Sequence, residues 1–388
     1  MVASEQVLAT GQQLDTLCIN TIRTLAIDAV QQANSGHPGA PMGLAPVTYC
    51  LWQDFLRYDP ADPTWLNRDR FVLSNGHASM LLYAMLHLAE VRRVDENGRI
   101  TNELAVSMEE IKHFRQLGSR TPGHPESHVT TGVETTTGPL GQGVGNSLGM
   151  AIAGKWQAAN FNRLDFEIFD FNVYAICSDG DLMEGVGGEA ASLAAHLKLS
   201  NLCWIYDHNH VTLDGPASWS FSEDVATRFV GYGWNVTRVA DANDLEMLTR
   251  SFEIFQRTTD RPTLIIVDSH IGYGSPHKQD TNAAHGEPLG EDEVRLVKKF
   301  YGWPEDAKFL VPEGVREHFR DGVGKRGREA RAQWSKLFTN YSQKYPEMAE
   351  RLDQMQHHNL PSGWDKNLPT FPADAKGVAT RESSGKVL

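Results

Sequence analysis

Apolar and polar positions change period several times along the chain, and each change marks an element. Over residues 15–33 apolar side chains recur at helical spacing. The run begins on Asp15 and stops at Asn34-Ser35-Gly36, residue types that tolerate the left-handed backbone of a helix end. A loop over residues 34–42 is expected next. Short runs rich in β-branched and aromatic residues follow at 71–73, 173–177, 202–206, 234–239 and 263–267, and read as strands. Helix-length segments separate most of them: 182–197 is rich in Ala and Leu, and 242–256 carries acids early and Arg250 late. This alternation predicts an α/β fold, a mostly parallel sheet with helices on both faces. Ligands in such sheets collect at the carboxyl ends of the strands.

After Gly302 the texture changes. Pro304 and Pro312 precede a highly charged stretch, 313–355, which holds Trp334 and Phe338 and reads as long surface helices. Residues 359–377, with Pro361, Pro369 and Pro372, read as a linker. No internal repeat is visible.

Composition narrows the function classes. Hydrophobic residues make up 40% and charged residues 22% of the 388, close to the globular average. The 36 basic against 49 acidic residues give a net charge of −13, a mean field that repels nucleic acid and anionic membranes. Residues 1–15 contain Glu5 and no basic run, so no secretory leader is expected and a cytoplasmic location is. No apolar run approaches the ~20 residues of a membrane span. Cys18, Cys50, Cys177 and Cys203 form no CxxC and sit among apolar neighbours, as buried free thiols do.

Three groups of residues carry candidate chemistry. Ser178-Asp179-Gly180-Asp181 directly follows one apolar strand, and Asp207-His208-Asn209 ends another. Asp179 and Asn209 are 30 residues apart, about one βαβ unit, so they can lie side by side at adjacent strand ends. A carboxylate and a side-chain amide are hard oxygen ligands suited to magnesium or calcium; the same pattern alone also fits a plain turn. The second group is Thr135-Thr136-Thr137-Gly138-Pro139-Leu140-Gly141-Gln142-Gly143, after which a helix is expected from Val144. A Gly-rich loop opening a helix can cradle an anion. It is not the dinucleotide fingerprint, whose third glycine would fall at Leu148. The third group is four loop histidines, His37, His77, His124 and His285. Imidazole both donates and accepts protons near neutrality, as a catalyst acting on sugar hydroxyls and carbonyls requires.

The strings around these histidines are Ser35-Gly36-His37-Pro38-Gly39, Ser74-Asn75-Gly76-His77, Thr121-Pro122-Gly123-His124-Pro125 and Ala284-His285-Gly286. Together with the Gly-rich loop and the Asp179–Asn209 spacing, they resemble transketolase in order along nearly the whole chain. Ser178 departs from the leading Gly of the family's Gly-Asp-Gly segment. The resemblance implies a thiamine-diphosphate-binding fold and thiamine diphosphate with Mg2+, or Ca2+ or Mn2+, as cofactors. Asp179, Asn209 and the main-chain carbonyl of Val211 would be metal ligands. His77, Gly138, Pro139, Leu140, Gly180, Asn209, Leu213 and His285 would bind the cofactor, with Leu140 and Leu213 packing on its thiazolium ring. His37, His77, His124 and His285 would be catalytic, and His37, His124, His285 and Arg381 would bind substrate. Glu184 and Glu189 would belong to an acidic network between the two cofactor sites of a homodimer. The implied reaction is transfer of a two-carbon ketol unit from a ketose phosphate to an aldose phosphate, in the pentose phosphate pathway.

The resemblance also implies a division into a diphosphate- and metal-binding domain at 1–310, a helical and Pro-rich linker at 311–377 and the start of a pyrimidine-binding domain at 378–388. Members of ordinary length continue well beyond that point, so the chain is expected to be a truncated or proteolysed part, inactive without its second half or a partner that supplies it. The rivals are another thiamine-diphosphate enzyme, of the dihydroxyacetone synthase or deoxyxylulose-phosphate synthase type, and a non-catalytic cofactor-binding fragment. His208 and His210 flank Asn209, and in an extended segment their side chains point away from that ligand, which reads as structural. His357 and His358 lie in the charged tail and read as solvated.

Overall fold

The computed structural model describes residues 11–388, so part of the segment read for a leader, residues 1–10, lies outside the described residues. The chain divides into two compact units, Met1–Trp334 and Ser335–Leu388. The first unit is built on β1 (Arg70–Leu73), β2 (Arg92–Val94), β3 (Ile100–Leu104), β4 (Val173–Ser178), β5 (Leu202–His208), β6 (Asn235–Val239) and β7 (Thr263–Asp268). Five of these form one parallel sheet in the order β1-β4-β5-β7-β6, while β2 and β3 pair as an antiparallel hairpin. The mostly parallel α/β expectation therefore holds.

Helices cover both faces, which is why β4 and most of β5 are buried throughout and read as unbroken apolar runs. On one face Tyr174 packs against Phe252 and Phe255 of helix Leu245–Arg257, at ring-centroid distances of 6.4 and 5.2 Å. On the other face Trp204, which pairs with the neighbouring position Ala175, donates its indole N–H to Ser147 Oγ of helix Gln142–Phe161 at 2.9 Å. It also packs on Phe229, 5.9 Å away in helix Val225–Tyr232. All four cysteines are free and buried. Among the described residues no helix is long and apolar enough to cross a membrane.

Four of the differences from the expected extents have a local reason. The loop expected over 34–42 is short, because helix Gly39–Cys50 already begins at Gly39. A Cβ there would stand 2.3 Å from the Ala284 carbonyl oxygen, so glycine is what lets the helix start against that segment. The helix expected at 182–197 is two, Asp179–Met183 and Gly185–His196, split by Glu184 in extended backbone at ψ 136°. The helix expected from Ala242 starts at Leu245, since the Asp244 side chain caps the Met247 N–H at 3.0 Å. The charged stretch is not all surface: Val315, Phe319 and Val323 are fully buried before the long helix Lys325–Lys344 begins.

The second unit contains helix Pro346–Gln356, an irregular exposed segment over 359–377 and the short helix Thr380–Val387. His357 and His358 are exposed there.

Candidate active site

The strand ends of the parallel sheet bring the predicted residues together. Ser178 at the end of β4 is in register with Asp207 on β5, so Asp179 and Asn209 leave adjacent strands at nearly the same level. The Asp179 carboxylate accepts a very short hydrogen bond from the Tyr206 hydroxyl on one oxygen, while its Oδ2 is buried and has no partner. Burial raises its pKa, and the Tyr206 bond opposes that rise. Asn209 is oriented from behind: its Nδ2 donates to Asp207 Oδ2 at 2.7 Å, which turns its Oδ1 toward the Val211 N–H at 3.0 Å. Asp207 is itself fixed by a short bond from Ser269 Oγ on the segment after β7. Burial, and less strongly the charge of Asp179, pushes the Asp207 carboxyl up to about 7.

Asp181, which closes the Ser178–Asp181 string, ties the site's loops into one body. Its Oδ1 accepts from Ser74 Oγ at the end of β1 at 2.7 Å and from the Gly141 N–H at 2.8 Å. Its Oδ2 accepts from the Ser178 N–H at 2.9 Å and from Ser178 Oγ at 3.3 Å. Ser74 Oγ in turn accepts the Val144 N–H at 3.0 Å, fastening the first turn of helix Gln142–Phe161 to β1. That helix starts at Gln142, two residues earlier than expected, after Gly141 in the left-handed region at φ 78°. Gly143 lies so close to β1 that a Cβ would stand 2.5 Å from Ser74 Cα. The departure at Ser178 has a use, because the serine hydroxyl gives Asp181 Oδ2 a second donor beside the backbone N–H that glycine would also supply.

Three of the four predicted histidines form one cluster. His77, in the turn Gly76–Ala78 after β1, lies 5.0 Å from His285 and 5.1 Å from His37 between ring centroids, and His37 lies 5.7 Å from His285. His124 stands beside the Gly-rich loop, its Cγ 3.4 Å from where a Cβ on Gly138 would be. Burial lowers the pKa of all four. In His37, pushed down to about 4, the neighbours His285, Arg115 and His124 add to burial. The cluster is therefore neutral at pH 7, each ring offering one lone pair and one N–H. His37 Nδ1 and His285 Nδ1 are buried without a partner, as are both side-chain polar atoms of Asn75 next to His77.

The remaining predicted residues fall in three places. Leu140 and Leu213 keep 39% and 59% exposure. The Leu140 side chain borders Gly180, and Leu213 borders Gly286 beside His37. Pro139 lies in the loop between Gly138 and Leu140. Glu184 and Glu189 are exposed around helix Gly185–His196, on a surface that also carries Val186, Leu193 and Leu197 at 46, 43 and 44% exposure. Arg381 belongs to the second unit and is exposed on helix Thr380–Val387. The segment around Asn209 is extended only to His208; His210 has φ +64°, and its ring lies beside that of His208.

Sequence reasoning missed Asn75, Asp181, Tyr206, Asp207 and Ser269. One signal was available: Ser178-x-x-Asp181 has capping-box spacing at the end of a strand. Nothing in the sequence told Asp207 from an ordinary core-flanking acid.

An anionic ligand carrying a divalent cation suits this arrangement. Asp179 Oδ2 and Asn209 Oδ1 are hard oxygens of the kind magnesium takes, and the Gly-rich loop allows close backbone approach. Orphaned buried polar atoms cost about 1–3 kcal/mol each, so a cluster of them marks where a ligand's polar groups belong.

Residues 14–361 match the family described as "Transketolase, thiamine diphosphate binding domain". The chain is 50% identical over 378 residues to the transketolase of Geobacillus stearothermophilus, covering 97% of this chain and 54% of that protein. It is 46% identical to transketolase 1 of Saccharomyces cerevisiae, covering 97% of this chain and 53% of that one. Among solved structures, a Pichia stipitis transketolase described as a complex with sedoheptulose 7-phosphate superimposes with a TM-score of 0.89 at 44% identity, over 96% of this chain and 53% of that one. A Leishmania mexicana transketolase gives a TM-score of 0.89 at 41% identity, over 98% and 54%. The chain thus spans about half the length of the relatives it matches.

Proposed function

Since the chain belongs to the transketolase family, we propose that it holds the diphosphate and magnesium end of thiamine diphosphate, in an enzyme that moves a two-carbon ketol unit from a ketose phosphate to an aldose phosphate. The observation that carries this reading is the set of unpartnered buried atoms at the predicted site residues: Asp179 Oδ2 at the end of β4, and His37 Nδ1, His285 Nδ1 and the Asn75 amide in and beside the histidine cluster. Asp179, Asn209 and the Val211 carbonyl are assigned to the metal. His77, His285, Gly138, Pro139 and Gly180 are assigned to the cofactor, with Leu140 and Leu213 as its apolar contacts. When bound, thiamine diphosphate supplies the electron sink that lets the C2–C3 bond of a ketose break.

The chain's own part is positioning and proton handling. His37, His77, His124 and His285, neutral at pH 7, can accept a proton from a sugar hydroxyl or donate one to a carbonyl oxygen. All four are half-buried, which limits the water that would compete for those protons. Arg381 is assigned to substrate phosphate in the complete enzyme. The exposed Val186, Leu193 and Leu197, with Glu184 and Glu189 among them, suit a homodimer contact. The domain limits at residues 310 and 377, the pentose phosphate pathway and a cytoplasmic location belong to the same reading.

The test is a glycolaldehyde-transfer assay with xylulose 5-phosphate and ribose 5-phosphate. Activity is expected from a longer protein carrying this sequence, and none from the 388 residues alone. Transfer by the 388 residues alone would show that the second half is dispensable. Inactivity of both would point to a different thiamine-diphosphate enzyme.

A further inference from the structure

A second group of potential ligands includes the two residues flanking Asn209. His208 ends β5 and is in register with Asp268, the last residue of β7, and its Nδ1 lies 2.8 Å from Asp268 Oδ1. His210 adopts the left-handed backbone at φ +64°, a conformation uncommon outside glycine that clusters at functional sites. Its ring centroid stands 3.9 Å from that of His208, and the ring makes no hydrogen bond to another described residue. Ligand atoms of His208, His210 and Asp268 all lie within 4.8 Å of one another.

We propose that His208, His210 and Asp268 form a site for a divalent transition metal of the zinc class, separate from the oxygen ligands Asp179 and Asn209. Two imidazoles with one carboxylate are a poor set for magnesium and a good one for zinc, cobalt or nickel. Three protein ligands leave a coordination position open. Ligands about 2.1 Å from a tetrahedral ion stand roughly 3.4 Å apart, so the group must contract on binding. The exposed His210 has room to move. His210 borders one cavity of about 520 Å³, shared with Asp268 and also with Asn209 and Val211, and another of about 260 Å³, shared with His208 and also with Asp179, so the two ligand sets are neighbours that differ in their donor chemistry.

Arg238 sets the strength of the site. Its guanidinium donates to both Asp268 oxygens, at 2.7 and 2.8 Å, and so places a cation where the metal would go. The side chain is 54% exposed and can swing into solvent when an ion displaces it. The guanidinium therefore competes with the metal.

The test is titration of the 388-residue protein with Zn2+ against a chromophoric chelator in excess Mg2+, with Co2+ absorption reporting the ligand geometry. One equivalent is expected to bind, with the visible bands of four-coordinate cobalt. His208→Ala and His210→Ala should each weaken binding by at least about tenfold, Arg238→Ala should tighten it several-fold, and Asp179→Ala should leave it unchanged. Circular dichroism and melting check that each variant is folded, and His210→Gln replaces the alanine if His210→Ala is not. Unchanged zinc affinity in the His208→Ala/His210→Ala double variant would overturn the proposal, placing the ion on exposed histidines such as His128 or His357. Loss of binding in Asp179→Ala would overturn it equally, by merging the two sites.

Discussion

Replacing Asp181 with asparagine removes one charge and almost no volume, and the structure predicts a cost well above that of an ordinary isosteric change. The Asp181 side chain is fully buried, and each of its oxygens accepts a backbone N–H, from Gly141 at 2.8 Å and from Ser178 at 2.9 Å. An amide has one oxygen, so in either orientation its NH2 faces one of those N–H groups. One backbone donor then loses its acceptor without gaining water, and the other loses a charge-assisted bond. Unsatisfied buried donors cost about 1–3 kcal/mol and hydrogen bonds to charged groups are worth about 1.5–3, so Asp181→Asn should destabilise by about 3 kcal/mol. Asp181→Ala should cost more than Asp181→Asn, because both backbone N–H groups then lose their acceptor and a cavity opens. Denaturant unfolding of the two variants beside the parent measures this, with near-ultraviolet dichroism following the first unit. An Asp181→Asn variant within about 0.5 kcal/mol of the parent would refute the reasoning, since it would mean that the loops relax around the amide without loss.

Two further predictions rest on other parts of the fold. Gly143→Ala puts a Cβ 2.5 Å from Ser74 Cα, where only backbone can give way, so it should cost about 1–3 kcal/mol and weaken cofactor binding; parent-like stability and affinity would show that β1 and the helix can separate freely. His87 is buried with Nδ1–H donating to the Val106 carbonyl at 2.9 Å, so its Nε2 lone pair accepts from Arg316 at 2.9 Å. A proton on Nε2 would confront the guanidinium; burial first, and Arg316 after it, lower the pKa from 6.5 to about 4. A lowered histidine pKa gives stability that is present above the unfolded value and lost as pH falls toward the folded one. The parent should therefore lose up to roughly 3 kcal/mol between pH 6.5 and 4 from this residue, and His87→Gln should have a shallower slope over that range, read from unfolding midpoints across pH. Equal slopes would refute the assignment.

Much of the sheet was legible because its strands are buried on both faces and so appear as short apolar runs, 173–177 and 202–206 above all. The Asp179–Asn209 pair was legible for the same reason: once two adjacent parallel strands are recognised, their carboxyl ends must be neighbours. The histidine cluster was another matter. His37, His77 and His285 come from three loops far apart in the sequence, and only the resemblance joined them before the structure did. Asp181 and Asp207 escaped notice because their importance lies in what they accept. A buried carboxylate serving backbone N–H groups or another residue's amide leaves no periodic trace. The start of helix Gly39–Cys50 was misplaced because it is set by how closely Gly39 approaches the Ala284 carbonyl, a tertiary contact that no local pattern encodes.

The most direct test of the central assignment is calorimetric titration of thiamine diphosphate into the 388-residue chain with and without Mg2+, repeated on Asp179→Ala and Asn209→Ala. Binding should require the metal and weaken by at least about tenfold in each variant, while both variants keep the parent's melting behaviour. Metal-independent binding, or binding indifferent to both substitutions in folded protein, would contradict the account.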